Sequence, residues 1–125
     1  MPIKVLVADD SRLVREAVLR LLNNDPDIQP VGQAATFTQT IELAGELHPE
    51  VIVMDLHTSD ERSLPPAEFK ASVNGARLLA MSLWNDIETE TLADSFGAEV
   101  LIDKMKLATE LLPAIRQRAN GHAAS

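Results

Sequence analysis

Two adjacent carboxylates, Asp9 and Asp10, close an apolar run in the segment KVLVADDSRLVRE, and a helical pattern begins directly after them. A third acid, Asp55, ends a second apolar run, VIVMD. Further along, LLAMS ends in Ser82, and EVLID is followed by Lys104. Carboxylates crowded together repel and are costly to bury, so their position at the exits of apolar strands asks for a cation. Oxygen ligands of this kind suit Mg2+. A phosphoryl group can sit on such an ion while Lys104 and Ser82 neutralise and hydrogen-bond its oxygens, and a carboxylate can act as the nucleophile that receives it. Taken one at a time, these residues have ordinary roles: Asp9 and Asp10 as a helix cap, Asp55 as a strand-end turn residue, Lys104 as a solvated charge. Their coincidence at one edge of one sheet is what points to chemistry, and that depends on the elements that carry them.

Short apolar runs alternate with helical patterns along the chain. Ile3–Ala8 reads as a buried strand. Residues 11–24 read as a helix, with Leu13, Val14, Ala17, Val18, Leu21 and Leu22 on one face and Arg15, Glu16 and Arg20 outside. Ser11 or Asp10 caps its first amides, and NNDPD at 23–27 ends it. Residues 28–35 form a weaker strand, which Pro30 places at a sheet edge because it cannot donate to a ladder. Thr36 opens a second helix with Ile41, Ala44 and Leu47 inward, closed before Pro49. Val51–Asp55 is apolar up to its final acid, the pattern of a central parallel strand covered on both faces. Residues 56–75 hold a polar loop and one short helix starting near Pro65 or Pro66. A fourth strand is expected at 76–82, a helix at 86–97 stopped by Gly97, a fifth strand at 99–103 and a last helix at about 107–119. Pro113 is expected near a kink or an irregular first turn of that helix. Residues 120–125 read as a tail or the start of a linker, so the domain spans 1–119. Five β–α units imply an α/β domain, a parallel sheet with helices on both faces. Ligands of such sheets bind beyond the carboxyl ends of the strands.

Composition narrows the possibilities. A chain of 125 residues makes one domain with a single sizeable core. Its 46% hydrophobic and 24% charged residues are globular proportions. A net charge of −8, without clustered Lys and Arg, argues against a nucleic-acid surface. The absence of Cys excludes disulfides and a Cys-ligated zinc. No apolar run approaches the ~20 residues of a membrane span, and no signal-peptide pattern precedes the first strand, so a cytoplasmic location is expected. A nucleotide or flavin site would want a Gly-rich turn after the first strand, whereas ADDSR has no Gly and would repel an anion. His48, His57 and His122 are scattered, and no Gly-x-Ser-x-Gly turn supports a nucleophilic triad.

The stretches VLVADDSRLVREAVLRLL, PEVIVMDL, LLAMS and GAEVLIDK resemble the receiver domain of bacterial two-component response regulators, especially the NarL-like branch, over nearly the whole chain. The resemblance implies a flavodoxin-like doubly wound sheet of order 2-1-3-4-5, Mg2+ dependence and phosphotransfer from a sensor histidine kinase. Carried over position by position, it implies that Asp55 is the phospho-acceptor and that Asp9, Asp10, Asp55 and the backbone carbonyl of His57 hold the metal. Ser82 would be the switch hydroxyl, and Lys104 would contact the phosphoryl group. It also implies dimerisation through the face of the fourth helix, fifth strand and fifth helix. No conventional turnover is expected beyond self-phosphorylation from a donor and autodephosphorylation, in a phosphoprotein serving transcription regulation.

The chain departs from the family pattern in places. After Asp55 the usual Met-Pro pair and Gly are replaced by LHTSDERSLPP. The aromatic switch position, three residues before Lys104, holds Leu101, which weakens the coupling between hydroxyl and ring. Trp84, two residues after Ser82, is a bulky neighbour placed to shield an acyl phosphate from water. These departures keep a second reading open, a degenerate receiver acting as a phosphorylation-independent protein-binding module. A phosphatase with an aspartyl nucleophile is disfavoured: that chemistry uses a second acid two residues beyond the nucleophile, where His57 stands.

Overall fold

The apolar runs become the strands of one parallel sheet. In this computed structural model, which describes residues 2–57, 65–73 and 75–120, the strands are β1 (Ile3–Ala8), β2 (Ile28–Ala34), β3 (Val51–Asp55), β4 (Arg77–Ser82) and β5 (Ala98–Asp103). The helices are α1 (Arg12–Asn23), α2 (Phe37–Leu47), α3 (Pro66–Ser72), α4 (Ile87–Phe96) and α5 (Leu107–Asn120). The strand order β2-β1-β3-β4-β5 is the flavodoxin-like order expected. The polar stretch 58–64 and the tail from 121 onward lie outside the described residues. β3 is buried along its whole length at the centre. β2 takes the edge, and Pro30 sits opposite Val5 at a register irregularity, where a missing N–H costs no regular ladder bond. Among the described residues no helix is long and apolar enough to cross a membrane.

Alternation along the strands splits the core into two layers, since successive side chains point to opposite faces. Leu6, Ile52, Met54, Leu78 and Ala80 pack against α2, α3 and α4 through Phe37, Ala44, Phe69 and Phe96. Val5, Val7, Val53, Leu79 and Met81 pack against α1 and α5 through Val18, Leu22, Leu111 and Ile115. The chain's three phenylalanines meet in the first layer. Phe37, Phe69 and Phe96 have ring centroids 5.4 to 5.6 Å apart, and Phe69 anchors the short α3 from a fully buried position.

Helix ends follow local chemistry. Ser11, Thr36 and Asp86 accept hydrogen bonds from the amides of Val14, Gln39 and Thr89 at the starts of α1, α2 and α4. Gly97 ends α4 in the left-handed region, at a φ of 79°. A Cβ there would also meet the outer carbons of the Lys70 side chain at 2.8 Å, which that flexible chain can relieve by shifting, so the positive φ is what favours glycine. The last helix runs unbroken through an exposed Pro113, and the irregular turn is the 3-10 turn Lys104–Lys106 before it.

Two residues of α1 differ from expectation. Leu13, expected inward, is 78% exposed, because the first turn of the helix projects past the end of β1 and meets the cleft rather than the sheet. Arg15, expected outside, is half-buried. It donates from Nη1 to the Asp9 carbonyl at 2.8 Å and from Nε to Gln33 Oε1 at 2.8 Å.

At the opposite end of the sheet the turn after α1 carries the buried Asp25. Arg116 of α5 donates to both its oxygens, at 2.7 and 2.6 Å, and reaches Asp27 at 3.1 Å. The Asp27 amide and then the Arg116 guanidinium hold the Asp25 carboxyl below its ordinary 3.8, against the effect of burial. Asp25→Asn is therefore expected to melt below the wild type at neutral pH. A carboxyl whose folded pKa is depressed stabilises the fold above its unfolded value, and that contribution is lost as pH falls through the folded value. The gap should close as the solution is acidified below pH 3.8, which thermal melts across that range will check.

Candidate functional site

Sheet register brings the candidate residues together. Ala8 pairs with Met54, so Asp9 and Asp55, the next residues of their chains, leave adjacent strands at the same level. Asp55 pairs in turn with Met81, and Ser82 with Asp103, which delivers Ser82 and the start of the 3-10 turn to the same edge. Asp103 Oδ1 accepts from the Met105 amide at 2.8 Å, fixing the turn that presents Lys104. Asp9 and Asp55 are buried, while Asp10 is exposed.

Each buried acid is held at one oxygen by its own loop and at the other by the lysine. The Ser11 amide donates to Asp9 Oδ1 at 2.8 Å, and the His57 amide donates to Asp55 Oδ1 at 2.9 Å. Lys104 Nζ stands 2.7 Å from Asp9 Oδ2 and 2.7 Å from Asp55 Oδ2. The contact to Asp55 is a hydrogen bond. The contact to Asp9 is a charge contact only, and the buried Asp9 Oδ2 accepts no hydrogen bond. Burial pushes the Asp9 carboxyl above its ordinary range, against Lys104 and the Ser11 amide, and the nearby Asp55 charge pushes the same way. Burial pulls Lys104 down, but the hydrogen bond to Asp55 and the close negative charges of Asp55 and Asp9 outweigh it and its pKa is raised.

These groups fit a hard divalent cation. Asp9, Asp10 and Asp55 each offer a carboxylate oxygen, all within 4.8 Å of one another. An all-oxygen donor set with one buried oxygen lacking a hydrogen bond matches what Mg2+ takes from a protein, a few carboxylates with the remaining positions filled by other oxygens.

The other candidates surround this cluster unevenly. Ser82 is buried, and its Oγ accepts from the Trp84 amide at 3.0 Å, so its hydroxyl is engaged with its own loop. Trp84 is 55% exposed and meets His57 edge to face, with ring centroids 5.1 Å apart. Both rings line a cavity of about 640 Å3 over the acid cluster. Leu101 lies away from this cavity, half-buried and packed against the layer of α2, α3 and α4. Sequence reasoning missed the His57–Trp84 contact and the bond from Arg15 to the Asp9 carbonyl. Neither carries a signal in apolar periodicity, because both depend on how loops from different strands meet.

Lys104→Met should destabilise the fold by about 3 kcal/mol, the scale expected when a buried ion pair loses one partner. Millimolar Mg2+ should recover more stability in this variant than in the wild type, since two buried carboxylates are then left without their cation. Urea denaturation with and without Mg2+ measures both effects.

No protein-family profile matches the chain, but individual proteins do. It is 33% identical over 122 residues to the nitrate/nitrite response regulator protein NarL of Escherichia coli, covering 96% of this chain and 56% of that protein. It is 32% identical over 125 residues to the response regulator protein VraR of Staphylococcus saprophyticus, covering 98% of this chain and 59% of that one. The chain thus spans a little over half the length of these curated relatives. The signal receiver domain of Mycobacterium tuberculosis NarL superposes with a TM-score of 0.84 at 27% identity, covering 96% of this chain and 98% of that one. The response regulator domain of Thermotoga maritima CheB gives 0.83 at 27% identity, with the same coverage. With the acid cluster at the carboxyl edge of a 2-1-3-4-5 sheet, these likenesses lead to one conclusion: the chain has the receiver-domain fold and is similar over nearly its whole length to the receiver domains of NarL-like response regulators.

Proposed function

We propose that Asp55 accepts a phosphoryl group from a sensor histidine kinase in a Mg2+-dependent reaction, and that the modification switches a protein-interaction face. The observation that carries this reading is the Asp55 carboxylate at the floor of an open cavity, with Lys104 Nζ 2.7 Å away and two further acids beside it. Asp9, Asp10, Asp55 and the His57 carbonyl would hold the ion, which when bound supplies positive charge for the phosphoryl oxygens. An Asp55 oxygen attacks phosphorus, and the bond to the donor nitrogen breaks. Lys104, freed from one carboxylate oxygen by the new acyl phosphate, neutralises a phosphoryl oxygen at close range. Ser82 turns its hydroxyl from the Trp84 amide to the phosphoryl group.

The readout lies on the face of α4, β5 and α5, where a homodimer would form. The chain itself makes no direct nucleic-acid contact and works in the cytoplasm, as a phosphoprotein serving transcription regulation. The domain runs over 1–119, with the remaining residues as tail or linker. Movement of Ser82 leaves space that Leu101 follows into. The driving force is modest, because a Leu buries less area than an aromatic ring and has no hydroxyl to anchor it outside. The unphosphorylated protein therefore already samples the active face.

Incubation with acetyl phosphate and Mg2+ should add one phosphoryl mass to the intact protein, labile to hydroxylamine. Asp55→Asn should abolish the adduct while remaining folded, since removing one acid from the cluster relieves repulsion. Wild-type protein that no donor labels would favour the binding-module reading instead.

Beryllofluoride, a stable stand-in for the phosphoryl group, should shift amide resonances of α4, β5 and α5 only partially. Self-association should change by a small factor. An all-or-none change confined to that face would show that Leu101 couples as strongly as an aromatic ring.

A further inference from the structure

The cavity over the acid cluster is far larger than a phosphoryl group needs. Beyond its charged floor the wall of this space of about 640 Å3 is apolar, built from Leu13, Val14, Leu83, Trp84 and Leu107. Leu13, Leu83 and Trp84 are 78%, 56% and 55% exposed, an uneconomical concentration of apolar surface unless something covers it. The wall is also braced. The Trp84 ring stands edge to face with His57, and the Trp84 amide is bonded to Ser82 Oγ. An apolar wall does nothing for phosphoryl oxygens, which the carboxylate and lysine side of the cavity serves. It suits the other half of a phosphodonor, the group that departs.

We propose that this wall selects donors by their leaving group, favouring phosphoramidates of a planar aromatic ring nitrogen over donors with a small polar leaving group. This rests on Asp55 being the acceptor. In the step, an Asp55 carboxylate oxygen forms a bond to phosphorus, the P–N bond breaks, and its electron pair stays on the ring nitrogen. The second ring nitrogen is protonated beforehand, so imidazole leaves neutral. The departing ring is received by the indole and the leucine side chains, a contact that favours an aromatic group by roughly three- to tenfold. Ammonia, leaving from phosphoramidate after the same bond changes, has no surface to offer there.

The test compares initial phosphorylation rates with phosphoimidazole and with phosphoramidate, read by intact mass in the presence of Mg2+. The two donors share the P–N bond and differ in the ring. Trp84→Ala keeps the amide that bonds Ser82 and removes the indole. It should lower the ratio of the two rates by roughly three- to tenfold. Leu83→Ala should lower it less. Ile87→Ala, which removes a still more exposed apolar side chain outside the cavity, should leave the ratio unchanged. A ratio that Trp84→Ala does not change, whether both rates fall, rise or hold, overturns the proposal while leaving Asp55 as acceptor. Labelling of the wild type by neither donor takes down both readings.

Discussion

One ammonium group lies between two buried carboxylates, and the carboxyl edge of this sheet is organised around it. Lys104 Nζ is 2.7 Å from an oxygen of Asp9 and of Asp55. With an effective dielectric constant of about 20, like charges some 5 Å apart repel by about 3 kcal/mol, and an ion pair at this contact distance attracts by about 6 kcal/mol. Three acids and one lysine thus roughly balance before the cost of taking them out of water is counted. That balance explains why Lys104 sits on a short capped turn rather than on the body of α5: a floating lysine would leave the two acids uncompensated. It also explains why the site has room for a second cation, since the cluster keeps a net negative charge.

The rest of the fold serves to keep this arrangement from relaxing. The two strands that carry Asp9 and Asp55 are adjacent and central, covered on both faces by apolar layers. Neither acid can swing away into solvent without disturbing a buried strand. At the far end of the sheet, Arg116 ties α5 to the turn after α1. The helix that follows Lys104 is therefore fixed at its other end, and what freedom it has lies near the site.

Much of this was legible in the sequence because it follows from periodicity and punctuation. The continuous apolar run of Val51–Asp55 marks a central strand, Pro30 marks the edge, and Ser11, Thr36 and Gly97 mark helix ends. The convergence of Asp9, Asp55 and Lys104 followed from strand ends alone. What periodicity could not give was the behaviour of first turns and loops. Leu13 has the spacing of a core residue, yet the helix begins beyond the sheet's shelter and the side chain is exposed. Arg15 has the spacing of a solvated residue, yet its length lets it fold back onto the Asp9 carbonyl. Asp25 read as a turn residue, and only the docking of α5 shows that it is buried and paired.

The chain has one tryptophan and no tyrosine, and that tryptophan is at the mouth of the acidic cavity. Its intrinsic emission therefore comes from a single spot, half in water and edge to face with a histidine. In most proteins such light is an average over many places, and its changes are hard to assign. Here the molecule carries its own local optical probe, so that colour and intensity speak for the mouth of the cleft and for nothing else in the fold.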